Sequence, residues 1–374
     1  MLSFKDGKFK IMQIADIQDT DRLSPDTLQL IEKALDAQQP DLVVFSGDQV
    51  KGYAVDFKFS DARKKLENAI EKIVSPVVKR GIPFTFIFGN HDENPAFKKE
   101  EQLEFYKSFG DCLAFDSGDN IKGVGNHYLS VKGVDGKDKL IIYLLDSNGS
   151  LSLGGYDCLG ENQLEWYKKI RDKFENENGE CVKGIVFQHI PPVEVFSLLK
   201  PVKKNEKGAV ESYRNFKGFY KLDFNRVNKD GFMKESPAVP DKDVHELGYF
   251  AEKGDIMGVY FGHDHNNSFH GKVKGIDLGY TQGSGFNVYG PGLDRGVRVF
   301  VFDENGIENY ETYTVTCRDL PDFKPIKPVK DFLYTVSPPS IYDVKKAAFK
   351  TLKYAAFGTA VFIVSREIIK RAKK

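Results

Sequence analysis

Cysteine is scarce in this chain. Its 374 residues contain four, Cys112, Cys158, Cys181 and Cys317, scattered and with no CxxC pair. That spacing excludes a zinc knuckle and a dense disulfide framework, and makes buried thiols in a reducing compartment the expected state. Net charge is missing too, because Lys plus Arg and Asp plus Glu stand at 54 each. Without a basic excess there is no global electrostatic case for nucleic acid, and no nucleic-acid partner is expected. Residues 1–10 carry charge and lack the apolar core of a secretory signal, so a cytoplasmic protein is expected. The apolar stretch 354–364 is shorter than the roughly 20 residues that a spanning helix needs. No internal repeat is visible.

What the chain does have is a series of short apolar runs that stop abruptly at polar side chains. Residues 9–15 run into Asp16, 42–46 into Gly47-Asp48, and 82–88 into Gly89-Asn90-His91-Asp92. Residues 184–187 lead to Gln188-His189-Ile190-Pro191-Pro192, and 258–261 to Gly262-His263-Asp264-His265. Runs this short read as buried strands rather than helices. A buried strand ending in polar residues delivers them to the carboxyl edge of a sheet, where open α/β folds bind their ligands. Of the 7 histidines, His91, His189, His263 and His265 all occupy such ends, whereas His127, His245 and His270 do not and are expected to be structural or on the surface.

Helical segments separate the runs. Ser24-Pro25 opens one with Leu28, Ile31 and Leu35 on a face, and Ser60 is placed to cap a second through Leu66, Ile70, Ile73 and Val77. A third fits 95–109, and a fourth fits 161–174 with the only tryptophan, Trp166. Strands at 127–131 and 140–145 lie between, and 297–302 with 307–315 read as a closing hairpin. The alternation predicts a layered α/β domain over 1–320. Residues 193–255 have no clean period and read as an insertion near the site. Prolines at 321, 325, 328, 338 and 339 mark 321–344 as a linker or strap. Residues 345–374 read as a basic amphipathic helix that docks on the protein's own core or lies on an anionic membrane surface, at the inner face of the membrane. Arg295 and Arg298 read as solvated charge.

Carboxylate, imidazole and amide oxygen are the ligands of hard and borderline divalent ions, and the strand ends supply all three. In order and context, Asp16, Gly47-Asp48, Gly89-Asn90-His91-Asp92, His189 and Gly262-His263-Asp264-His265 resemble the calcineurin-like metallophosphoesterase superfamily. Within it, Leu145-Asp146-Ser147, the Trp166 helix and His189-Ile190-Pro191 resemble the compact branch related to purple acid phosphatases. The resemblance runs from about Phe9 to about Val315. It implies two packed mixed β-sheets flanked by helices, a four-layer sandwich, and a centre of two divalent ions drawn from Mn, Fe, Zn and Mg. By that resemblance Asp16 and His265 hold the first ion, Asp48 bridges, and Asn90, His189 and His263 hold the second. His91 then contacts the substrate phosphate or protonates the leaving group, with Asp92 orienting its imidazole.

Two departures stand out. The family's first motif is Asp-x-His, whereas this chain has Asp16-Ile17-Gln18, so Gln18 is an uncertain ligand and Asp19 and Asp21 become alternative donors. The metal-bound tyrosine of purple members falls at Lys51, so no charge-transfer colour is expected. The implied activity is hydrolysis of a phosphoester by a metal-bound hydroxide, with a phosphorylated substrate as partner. The rival expectation is a weakened member of the fold that serves as a binding scaffold at a membrane surface.

Overall fold

The computed structural model describes residues 1–118 and 120–338. The expected C-terminal helix over 345–374 and the end of the expected strap therefore lie outside the described residues. Among the described residues no helix is long and apolar enough to cross a membrane.

Two sheets form the body. The first has five strands in the spatial order Glu311–Thr316, Gly296–Asp303, Lys8–Ile14, Leu42–Ser46, Phe84–Ile87. The last three run parallel, and the hairpin of the first two adds antiparallel to Lys8–Ile14. The second has eight strands and a parallel centre made of Asp138–Leu144, Lys183–Phe187, Ile256–Phe261 and Ile276–Tyr280. Side chains alternate across each strand, so every central strand feeds two cores. Phe9, Ile11, Leu42, Val44 and Phe300 face Leu140, Ile142, Leu144, Ile185 and Phe187 between the sheets. Met12, Ile14, Val43 and Phe45 point the other way, against the helices Pro25–Gln38 and Ala62–Val78. Ile141, Tyr143, Val186 and Val259 pack on the helix Glu161–Asn178, which carries Trp166. The layers are thus helix, sheet, sheet, helix, as expected. Each fully buried aliphatic or aromatic side chain contributes about 1.5–3 kcal/mol to holding them together.

Local signals explain most boundaries. The Ser24 hydroxyl accepts from the Asp26 amide at 3.3 Å, and Pro25 starts the first helix. The second helix begins after Asp61 rather than at a Ser60 cap, because the Ala62 amide closes a turn onto Phe59. The third spans only Lys99–Lys107. Asn94 ties residues 94–97 into a turn by accepting from the Ala96 and Phe97 amides, and Glu101 accepts from the Lys98 amide to cap the helix.

The insertion at 193–255 builds a small antiparallel sheet of Leu199–Pro201, Gly218–Leu222 and Val210–Ser212, then a short helix, Glu246–Ala251. Within the expected strap a helix forms at Pro328–Val336. The chain just before it is fixed to the first helix, since the Ile326 and Lys327 amides donate to Asp26. Arg298 is not solvated. It is buried on the inner face of its strand, donating to the Tyr280 carbonyl at 2.9 Å and the Thr312 hydroxyl at 3.2 Å.

A further polar link crosses the apolar space between the sheets. Gln13 donates to the Ser46 hydroxyl at 2.8 Å and accepts from the Thr281 hydroxyl at 2.7 Å, all three side chains being buried. Gln13→Leu leaves both hydroxyls without this partner and should cost about 1–3 kcal/mol in urea unfolding. The triple change Gln13→Leu, Ser46→Ala, Thr281→Val should recover part of that loss. Equal stability of Gln13→Leu and the wild type would show that the link contributes nothing.

Candidate metal centre

The parallel strands of both sheets end at the same rim, so the expected single edge is a seam between two sheets. Asp16 and Gln18 follow Lys8–Ile14, Asp48 follows Leu42–Ser46, and Asn90 and His91 follow Phe84–Ile87. From the opposite sheet, His189 follows Lys183–Phe187, while His263 and His265 follow Ile256–Phe261. Asp16, Gln18, Asp48 and His263 all adopt positive φ, between 43° and 75°. Such conformations are costly for residues other than glycine and persist where surrounding contacts impose them. Here the His263 amide donates to Asp16 at 2.9 Å, the Gln18 amide to the Asp48 carbonyl at 2.7 Å, and the His91 amide to the Asp48 carboxylate at 2.8 Å.

Ligand atoms of Asp16, Asp48 and His265 lie within 4.8 Å of one another. His265 Nε2 is 3.4 Å from Asp16 Oδ1. On the other side of Asp48, His189 Nε2 stands 3.4 Å from its Oδ1 and 3.2 Å from Asn90 Oδ1. The His263 ring lies edge-on to His189 at 5.1 Å between centroids. Asp48 therefore belongs to both groups.

The imidazoles are aimed by their outer nitrogens. His189 Nδ1 lies 2.9 Å from the Ser46 carbonyl and His265 Nδ1 2.9 Å from that of Tyr289, which leaves each Nε2 facing the seam. Tyr289 also stacks flat on His265, with centroids 4.2 Å apart, and donates its hydroxyl to Glu235 at 3.2 Å. Arg295, expected in solvent, is buried and holds this loop by donating to the Gly285 and Val288 carbonyls at 2.7 and 2.8 Å. Burial pushes its guanidinium down to about 10. Tyr156 covers His263 edge-on at 4.4 Å. Neither tyrosine carries a sequence signal, since both sit in loops far from the motifs.

Burial alone would push the Asp48 carboxyl up, yet the His189 and His91 imidazoles outweigh it and hold the group well below the usual carboxylate range. For His189, burial works downward and is overcome by Asp48 and Asp16, which lift it to about 10. His263 goes the other way: burial, then the neighbouring His189 imidazole, pushes it well below the usual histidine range, toward the neutral form that ligates metal.

Among the described residues, His263 Nε2 and Gln18 Oε1 are buried at the seam without a hydrogen-bond partner. Buried polar atoms are normally satisfied, so a lone imidazole nitrogen and a lone amide oxygen beside two carboxylates fit a divalent cation. Gln18 lies against Asp48, its amide nitrogen donating to that carboxylate at 3.2 Å. Asp19 is not an alternative donor, because its carboxylate accepts from Thr20, Ser24 and Asn287. Lys51 points away, donating to the Asn287 carbonyl at 3.1 Å.

The expected role of Asp92 needs correction. Its carboxylate does not reach the His91 ring; it accepts from the amides of Gly89, Asp48 and Val50 at 2.7, 2.8 and 2.9 Å. It fixes the two loops that carry Asn90 and Asp48. The motif glycines have an equally direct cause. A Cβ at Gly47 would collide with the His189 ring, one at Gly89 with the Asp48 carboxylate, and one at Gly262 with the Asp16 carboxylate.

Fold and donor set together define a metallophosphoesterase-type sandwich. The sequence pattern of the calcineurin-like phosphoesterase family matches residues 9–267, and the chain belongs to that family. It is 28% identical to a probable inactive purple acid phosphatase 14 of Arabidopsis thaliana, over 79% of this chain and 75% of that one. It is 25% identical to the phosphatase DCR2 of Saccharomyces cerevisiae, over 85% of this chain and 56% of that one. Among solved structures, a dimetal phosphatase from Danio rerio aligns over 82% of this chain and 98% of its own, with 14% identity and a TM-score of 0.47.

Gly89→Ala should push Asp48 aside and weaken divalent-ion binding by about 10–100-fold, as loss of a ligand's support does. Gly110→Ala, where a Cβ meets nothing within 4 Å, is the control and should bind normally. Equilibrium dialysis with Mn or Zn reads both, and unchanged affinity in Gly89→Ala would separate Asp48 from the centre.

Proposed function

We propose that the chain hydrolyses a phosphoester with the help of two divalent cations held at the seam. The observation that carries this reading is the position of Asp48, shared between the Asp16–His265 group and the His189–Asn90 group. Asp16, Gln18, Asp48 and His265 would hold one ion, and Asp48, Asn90, His189 and His263 the other. When bound, such a pair supplies an activated water at neutral pH and neutralises charge during in-line displacement at phosphorus.

The chain's own residues do the rest. Asn90 and His91 come from one rigid turn, fixed by Asp92, so their side chains are placed without further ordering on substrate binding. The His91 ring is half-buried at the mouth of the centre, with Tyr53 against it at 4.7 Å. Burial pushes the imidazole down, and a neutral ring still donates one N–H to a phosphoryl oxygen. Placed between centre and solvent, it passes a proton to a departing alcohol only as the imidazolium, after taking that proton up from solvent.

A second reading, a scaffold that binds and does not turn over, draws support from Gln18 and from relatives named as probable inactive phosphatases. Activity assays of chelator-treated protein with each divalent ion restored decide between the two. Asp48→Asn should abolish turnover on any substrate that the wild type accepts, because the shared charge is lost from both sites. Full activity in Asp48→Asn would sink the two-ion reading, and no activity with any ion would favour the scaffold.

His91→Ala gives a separate check on the proton. If His91 protonates the leaving oxygen, esters of alkyl alcohols should slow by about 10²–10⁴-fold and esters of acidic phenols far less. Equal losses on both would assign His91 to holding phosphate.

A further inference from the structure

Two cavities open on either side of the Asn90 turn. One, about 560 Å³, lies between the 52–59 loop and residues 90–96 and is walled by Tyr53, Phe57, Phe59, Ala62, Pro95 and Ala96. The other, about 790 Å³, includes the Lys99–Asp146 ion pair at 3.1 Å together with Glu93, Asn94 and Asn148. Asn90 borders both, but His91 lines the first alone.

That asymmetry decides which way a bound ester points. A group that contacts the phosphate and faces the departing oxygen has to border the space the alcohol occupies. The first cavity is also built rather than incidental. The Gly52 carbonyl accepts from the Asn94 side chain at 2.7 Å and the Gly52 amide donates to the His91 carbonyl at 2.8 Å, which locks the loop to the His91 turn. Phe57 is rooted in the core of the helical layer with 3% exposure. Tyr53 and Phe59 nevertheless keep 50% and 61% exposure, large aromatic faces turned outward beside a cavity. Apart from His91, one cation and one anion, Lys58 and Glu93, complete the charged lining, so the space suits a neutral group. Its volume falls in the range of small-molecule sites.

We propose that this cavity is the leaving-group subsite and that the substrate is a phosphate ester of an aromatic alcohol. The proposal rests on the phosphoesterase reading above. Water adds to phosphorus, the bond from phosphorus to the aryl oxygen breaks, and the phenol leaves with one of the water's protons while the other stays on phosphate.

The test uses two non-hydrolysable probes, methylphosphonate and benzylphosphonate, titrated by calorimetry into the full chain loaded with divalent ion. Methylphosphonate reports the centre, and the ratio of the two affinities reports the cavity. Benzylphosphonate should bind on the order of 10-fold more tightly, the scale of one well-packed aromatic contact. Tyr53→Ala with Phe59→Ala should erase that preference and leave methylphosphonate binding intact, and Tyr53→Phe should keep it. Both side chains are exposed, so circular dichroism should show an unchanged fold. Lys98→Ala, on the wall of the polar cavity, should leave the ratio alone. Equal affinities in the wild type, an undiminished preference in the double variant, or a preference lost in Lys98→Ala would overturn the aromatic subsite while leaving the centre standing. If neither probe binds, the phosphoesterase reading falls and this one with it.

Discussion

The structure turns on one buried carboxylate. Asp48 is almost fully shielded from water, and an ionised carboxylate in such a place is unfavourable unless charge and hydrogen bonds compensate it. Here the compensation comes from three directions: the His189 imidazole, the His91 amide and the Gln18 amide nitrogen. Removing any one leaves the rest less able to hold the charge. That makes the centre a single electrostatic unit, and explains why residues as far apart in the chain as Asp16 and His265 have to be placed together.

Placing them is the work of the sandwich. Neither sheet edge supplies all the donors of either group: Asp16 and Asn90 come from one sheet, and His265, His189 and His263 from the other. The two sheets must meet with their carboxyl ends at one rim, and the inter-sheet core sets that meeting: Phe9, Ile11 and Val44 from one sheet pack with Leu140, Ile142, Leu144 and Phe187 from the other. Above this core the chain has little freedom. Asp16, Gln18, Asp48 and His263 sit in left-handed conformations, and glycines at 47, 89 and 262 give neighbouring side chains the room they occupy. The strain and the crowding are both consequences of bringing several strand ends to one small space.

Much of this was legible in the sequence because strand ends and glycine-polar turns are local features. The runs before Asp16, Asp48, Asn90, His189 and His263 are strands, and the histidines and carboxylates behind them do converge. What was not legible depends on contacts between distant segments. Asp92 stands next to His91 in the chain, which suggests a partnership, yet the turn folds its carboxylate back onto three backbone amides. Tyr156 and Tyr289 reach the histidines from loops with no periodicity. The insertion at 193–255 has strands of two to five residues, too short to show a pattern. At Arg298 two signals conflict: its charge points to solvent, while the alternation through Phe300 and Phe302 points inward. The alternation wins, because the Tyr280 carbonyl and the Thr312 hydroxyl are there to accept from the guanidinium.

Gln18 stands where the family motif has a histidine, and its side chain offers the site different atoms. An imidazole presents one nitrogen to the centre, and its second nitrogen has to find a partner elsewhere. A primary amide presents an oxygen and an N–H₂ group side by side, so one residue can donate to Asp48 and still turn an oxygen inward. The structure has this arrangement, with the nitrogen 3.2 Å from Asp48 and the oxygen without a partner among the described residues. The exchange leaves the formal charge of the donor set unchanged, since neutral imidazole and amide are both uncharged ligands. What it alters is softness: an amide oxygen favours harder cations than an imidazole nitrogen does. Under the two-cation reading proposed above, the departure from the family motif bears first on which metal is selected, and only through that on turnover.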